Sequence, residues 1–305
     1  MFVTGKGGVG KTSVSAALAL LAARRGQRTL VCEMDAKGSL GAAFDAGPLE
    51  FRPRQLEPGL EAMAMNTEDS LREYLRLFVR IPLLAKIGPL ARTFDFVADA
   101  APGVKEILAV GKLCYEVRER HYDMVVVDAE ATGHIVPQIG APLVIRDLVK
   151  VGMVRDQTDW MLDLLHDQAV TGVVVVTTPE EMPVTETLDL LARLPTETGV
   201  TPTALVANRV LPALFDRSEA AVVEHLDDAR DLLVDAAGRG VTAVVEAARI
   251  TEARRRIGAA HLDRLRAATG ELPILIVPEL FTRATGRRVV ELVADALADE
   301  IDTET

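Results

Sequence analysis

Gly5-Lys6-Gly7-Gly8-Val9-Gly10-Lys11-Thr12 satisfies the spacing Gly, four residues, Gly-Lys-Thr that wraps a nucleotide triphosphate. Glycines let successive backbone N–H groups turn inward onto phosphate oxygens, and the helix that follows adds the positive end of its dipole. In such a loop Gly7, Gly8, Val9, Gly10 and Ser13 line the phosphates and Lys11 neutralises the β- and γ-phosphates. The Thr12 hydroxyl is the candidate ligand for Mg²⁺. The flanks agree with this reading. Phe2-Val3-Thr4 reads as the end of a buried strand, and Ser13 to Arg25 as an Ala- and Leu-rich helix stopped by Gly26.

Strand, loop and helix in that order predict an α/β fold, a P-loop NTPase whose mostly parallel sheet is flanked by helices. The 305 residues are 49% hydrophobic with few aromatics, enough to bury a sizeable core in a single domain over 1–305. A formal charge of −11 argues against a broad nucleic-acid surface, which needs clustered Lys and Arg. Cys32 and Cys114, the only cysteines, are too few and too far apart for a cysteine-pair zinc motif and read as packing thiols. No secretory leader precedes the first strand, and the apolar run Val14 to Ala23 is too short to span a bilayer. The expected location is cytoplasmic.

Downstream, Arg28 to Glu33 forms an apolar strand that delivers Asp35 to the ligand crevice, as a candidate for activating water. Residues 47–59, rich in Pro and Gly, read as a linker before a short strand at Leu60 to Met65. Over 66–120 the pattern becomes helical, with Leu71, Tyr74, Leu75, Phe78 and Val79 in register and breaks at Pro82, Pro89 and Pro102. This is a helical insertion. Tyr122 to Asp128 is a buried strand ending in an acid, the arrangement that pairs Asp128 with Thr12 around Mg²⁺. Ala129-Glu130-Ala131-Thr132-Gly133-His134 follows as a switch segment in which Gly133 lets a backbone N–H approach the γ-phosphate and His134 holds the loop by a hydrogen bond.

Leu148 to Gln168 reads as an amphipathic helix, and 146–168 joins 66–120 as a candidate surface for a client or partner. Apolar strands at Gly172 to Thr178, Thr203 to Ala207 and Pro273 to Val277, with a helix at Val184 to Leu194, extend the parallel sheet. Asn208, just after one of them, is placed to read adenine through its amide, and Pro278, just after another, joins the nucleotide-binding set. No guanine-reading Asn/Thr-Lys-x-Asp sequence occurs, which favours ATP. Ser218 to Thr269 has helical periodicity with a solvated charged face, and Gly286 to Thr305 is a short acidic helix.

The second lysine of the loop, Lys6, makes it resemble the deviant Walker A of the MinD, ParA, nitrogenase iron protein and ArsA group, where it is the signature lysine. Asp128-Ala129-Glu130-Ala131-Thr132-Gly133-His134 is similar to the ArsA-type switch II, Asp-Thr-Ala-Pro-Thr-Gly-His. Thr178-Pro179-Glu180-Glu181-Met182 and Asn208-Arg209-Val210-Leu211-Pro212 resemble its later blocks. The resemblance covers most of the chain and points to the family of arsenical-pump and tail-anchored-protein-targeting ATPases.

That resemblance implies a Mg-ATP-dependent dimer, with itself or with a related ATPase, in which Asp35 orients the attacking water and Lys6 reaches the partner's nucleotide. It also implies a hydrophobic protein client. Switch I departs from the family pattern Asp-Pro-Ala-His-Asn-Leu-Ser-Asp: Gly38 and Ser39 replace the histidine and asparagine, and Ala42 the second aspartate. Switch II gains Glu130, which Lys37 is placed to screen. With two cysteines the chain lacks the thiolates of an arsenite site and the Cys-x-x-Cys of a zinc-held dimer. Two other readings stand beside the ATPase: a low-turnover nucleotide-binding regulatory subunit of a heterodimer, and a MinD- or ParA-like positioning ATPase. The acidic tail disfavours the last, which wants a basic membrane- or DNA-binding face.

Overall fold

The computed structural model describes all residues except 36, 77–102, 227 and 305. β1 (Phe2–Gly5) feeds the glycine-rich loop and α1 (Lys11–Arg24), and β2 (Thr29–Glu33) returns to the sheet. A short α2 (Ser39–Ala43) precedes the hairpin of β3 (Arg54–Glu57) and β4 (Leu60–Ala64). Then come α3 (Thr67–Tyr74), α4 (Val104–Arg118), β5 (Met124–Ala131), α5 (Thr132–Leu148) and α6 (Met153–His166). The remainder alternates β6 (Val173–Thr177), α7 (Glu181–Thr198) and β7 (Pro202–Val210). After β7 come α8 (Arg217–His225), α9 (Arg230–Ala237), α10 (Val241–Thr269), β8 (Ile274–Pro278) and α11 (Arg287–Glu304).

Among the described residues the strands form one sheet in the order β3-β4-β2-β5-β1-β6-β7-β8, parallel throughout except at the β3–β4 edge. Helices cover both faces, which is why β2 and β6 are buried at every position. Alternate residues divide the core into two layers. Leu30, Cys32, Val125, Val127, Val173 and Val175 pack under α4, α5, α6 and α7, while Val31, Val126, Val174 and Val176 face α1 and α11. Ala16, Ala17 and Ala19 keep α1 thin enough to lie close to the sheet, against Val290, Val293, Ala294 and Leu297 of α11. This buried α1 fixes the glycine-rich loop at the carboxyl end of a central strand, between β5 and β6, where open α/β sheets bind ligands.

The thiols of Cys32 and Cys114 are both buried, as expected of packing residues. Burial pushes both thiols up, that of Cys114 to about 12.

Three elements differ from the sequence expectation. Residues 47–59 are not all linker: Arg54–Glu57 pair antiparallel with β4 across a Pro58-Gly59 turn in which Gly59 has φ 80°. As a half-exposed edge strand this segment carries little apolar alternation. A helix begins at Thr132, directly on the end of β5, and continues through Pro137 and Pro142 to Leu148. The helix expected from Leu148 to Gln168 is therefore split at Gly152 (φ 95°), its first residue belonging to α5 and its body to α6. Of the 66–120 insertion, α3 and α4 are helical as expected, and Phe78, Val79, Pro82, Pro89 and Pro102 lie outside the described residues.

Candidate functional site

Gly8 (φ 89°) and Gly10 (φ 93°) take left-handed conformations that turn the loop around its open side. Gly10 also caps α1, and a Cβ there would lie 2.4 Å from Asn208 Nδ2. Lys11 Nζ lies over the loop, 3.4 Å from the Lys6 carbonyl. Its pKa is lowered by burial, an effect the Asp128 carboxylate opposes. On the floor, Thr12 Oγ1 donates to Asp128 Oδ2 at 2.7 Å and Ser15 Oγ donates to Oδ1 at 3.1 Å. Ser15 is a site residue that sequence reading missed. It lies on the helix face toward β5, one turn beyond Lys11, and the motif ends before it.

Asp128 is 6% exposed, and burial raises its carboxyl above the ordinary value despite the two hydroxyls and Lys11. A buried carboxylate still short of positive charge, beside a hydroxyl at the base of a phosphate loop, is a hard-oxygen donor set that fits a hydrated Mg²⁺. A Cβ built on Gly7 or Gly8 would meet no atom of the described residues within 4 Å.

Glu33 is the neighbour of Asp128 across the β2–β5 pair and is 2% exposed. Its Oε1 accepts from the Ser39 N–H at 2.8 Å and the Leu40 N–H at 3.4 Å. Burial raises this carboxyl too, with the nearby Asp128 charge adding to the shift. Glu33 thus fastens switch I from inside the sheet. Asp35 is exposed at the mouth and ion-paired with Lys37, whose ammonium that hydrogen bond holds above its usual range.

Thr4 Oγ1 donates to the Glu130 carbonyl at 2.8 Å, tying β1 to switch II. The Glu130 carboxylate lies 3.8 Å from the exposed His134 ring, and Glu130 acts on Lys37 only as a minor charge effect behind Asp35. Gly133 sits in the first turn of α5, where backbone N–H groups have no acceptor within the helix. Lys6 forms an ion pair with Glu186 of α7, and Glu186 also accepts from Thr132 Oγ1 at 3.0 Å.

Asn208 lies inside β7 rather than after it, at a register shift where Arg209 takes φ 57°. Its amide braces the loop: Nδ2 donates to the Val9 carbonyl at 2.8 Å, and Oδ1 accepts from the Arg209 N–H at 3.0 Å. Pro278 is the last residue of β8, paired with Val210. Beside them a cavity of about 310 Å³ is lined by Thr178, Arg209, Leu211, Gly258 and Glu279 among others.

Residues 1–157, which contain the loop and both switches, match the family described as anion-transporting ATPase. ATPase BagA of Mycobacterium tuberculosis is 31% identical over 295 residues, covering 89% of this chain and 86% of that protein. A putative arsenical pump-driving ATPase of Halobacterium salinarum is 24% identical over 256 residues, 75% of this chain and 39% of its own length. ATPase get3 of Schizosaccharomyces japonicus is 31% identical over 148 residues, 48% of this chain and 44% of its own.

Proposed function

The chain belongs to the anion-transporting ATPase family of the ArsA type, and from that premise we propose that it is a Mg-ATP-hydrolysing switch that works as a dimer. The observation that carries this reading is the 2.7 Å hydrogen bond from Thr12 to Asp128 beneath Lys11, which joins the phosphate loop to the acid of β5. Thr12 and Asp128 would hold Mg²⁺, Asp128 acting either directly or through water. A Mg²⁺ held by these two residues would supply positive charge to offset the negative charge of the phosphates during transfer.

Lys11 neutralises the phosphates from within the loop, whose N–H groups hold them in line. Asp35 orients the attacking water after releasing Lys37, and the first turn of α5 offers the Gly133 N–H to the γ-phosphate. The base lies on the Asn208 and Pro278 side. Asn208 spends one of its two amide hydrogens on Val9 and keeps the other, with an oxygen lone pair, for adenine. Lys6 serves the nucleotide of the second protomer, because Lys11 already fills the lysine position in its own site. Apolar side chains exposed where α5 meets α6, Val144, Leu148, Val151 and Met153, are offered as the surface for a hydrophobic client.

Calorimetric titration with Mg-ATP tests the centre of this reading. Lys11→Ala is expected to weaken binding at least about a hundredfold, since a charge-assisted contact to phosphate is lost inside a cradle of neutral amides. Undiminished affinity would remove the phosphate-loop assignment. A second reading, a low-turnover regulatory half of a heterodimer, is favoured by the Asp35–Lys37 ion pair, which engages the water-orienting carboxylate. ATPase activity measured across protein concentration separates the two. Turnover that rises with concentration supports the homodimer, and turnover seen only after mixing with a related ATPase supports the regulatory half.

A further inference from the structure

One carboxylate of α7 holds the signature lysine and switch II together. Glu186 places Oε1 on the Lys6 ammonium and accepts at Oε2 from the Thr132 hydroxyl, 3.0 Å away. Its two oxygens therefore join the second residue of the phosphate loop to the first residue of α5, which follows β5 without a loop. The Lys6 hydrogen bond, with Thr132 adding to it, holds the Glu186 carboxyl below its usual range. Both side chains of the ion pair remain about one-third exposed, 29% for Lys6 and 34% for Glu186, so a second molecule can reach them.

We propose that Glu186 is a positioning residue that holds Lys6 on its own chain until the nucleotide of a second protomer displaces it, and that this exchange also releases Thr132. The inference rests on Lys6 acting across the dimer. An ammonium held by a carboxylate in cis is not free to bind a phosphate in trans, so association trades one ion pair for another. Phosphate oxygens carry more charge than a single carboxylate, so the trade runs forward only when the triphosphate is present. Because the released carboxylate is exposed enough for water to solvate it, the barrier is small and the exchange reversible. Thr132 loses its acceptor's fixed position at the same moment, and this links lysine release to the part of switch II that begins α5.

Glu186→Gln tests the exchange, since it removes the charge and keeps an amide oxygen that accepts from Thr132. One exposed ion pair corresponds to about 1.5- to 5-fold in an equilibrium constant, and a symmetric dimer opens two, giving about 2- to 25-fold. Sedimentation with Mg²⁺ and a non-hydrolysable ATP analogue is expected to show Glu186→Gln associating at that much lower protein concentration. On a Lys6→Ala background the same change should have no further effect on association, a dependence that a merely structural role for Glu186 would not produce. Association of Glu186→Gln at the parent's concentration or higher, or an effect that persists without Lys6, overturns the proposal. Lys6→Ala associating like the parent would instead overturn the action of Lys6 in trans, so the two failures are told apart.

Discussion

Asp128 receives two hydroxyl hydrogen bonds and still has a carboxyl raised by burial, so its charge costs stability wherever no cation offsets it. Between the ordinary carboxylate value and the raised one, the folded protein binds more protons than the unfolded chain. Stability contributed by this group is therefore present at low pH and lost as pH rises through the folded value. Asp128→Asn should then leave the nucleotide-free protein more stable than the parent at neutral pH, an advantage that disappears in acid, while Mg²⁺-dependent turnover is lost. Urea midpoints at several pH values check the first half, and an ATPase assay the second. Asp35, exposed and outside that floor, acts differently. Asp35→Asn should keep ATP affinity within about twofold and lower kcat by about 10²-fold or more, because water positioning matters in the transition state and not in binding. Unchanged turnover would reduce Asp35 to a partner for Lys37.

β1 and β6 meet so closely at the loop's entrance that a Cβ on Gly5 would lie 2.1 Å from the Val176 carbonyl oxygen. Gly5→Ala must push these central strands apart and should cost about 1–3 kcal/mol or more, whereas Gly7→Ala, whose Cβ meets open space, should stay within about 0.5 kcal/mol. Thermal denaturation of both variants without nucleotide checks the contrast. These elements were legible in the sequence because their residues follow one rule at a time: buried parallel strands are apolar throughout, and the loop's glycines keep a fixed spacing. Others obey competing rules. Pro137 and Pro142 argue against a helix that is nonetheless continuous, since six of its residues from Ile135 to Ala141 are buried by neighbouring helices and the sheet. Arg54–Glu57 make an edge strand whose residues are half-exposed, leaving no alternation to read. At the site, Lys11, Thr12 and Asp128 were legible by motif. Ser15 and Glu186 were not, because each is defined by a contact with a residue far away in sequence, and Glu33 was not, because its carboxylate reads as part of an apolar strand until its register beside Asp128 is known.

On the scale of the whole molecule, the candidate nucleotide site lies at the carboxyl edge of the sheet, and exposed apolar side chains gather where α5 turns into α6. Leu148 is 74% exposed and Val151 83%. If that surface receives an apolar client, Leu148→Asp with Val151→Asp should weaken binding of a fluorescent apolar helical peptide at least about tenfold, since each buried side chain of this kind contributes about 1.5–3 kcal/mol. ATP hydrolysis without peptide should match the parent, and anisotropy titration beside an ATPase assay reads both. α5 joins the two regions. It starts at Thr132, without a connecting loop after Asp128 and Glu130 of β5, and ends at Leu148. At 1.5 Å per residue its 17 residues measure about 25 Å, so a tilt of only about 5° at Thr132 sweeps the far end through about 2 Å. A helix rooted this way would act as a lever: a small adjustment around one phosphate at Thr132 would become a displacement of about half the width of a methyl group at the opposite end.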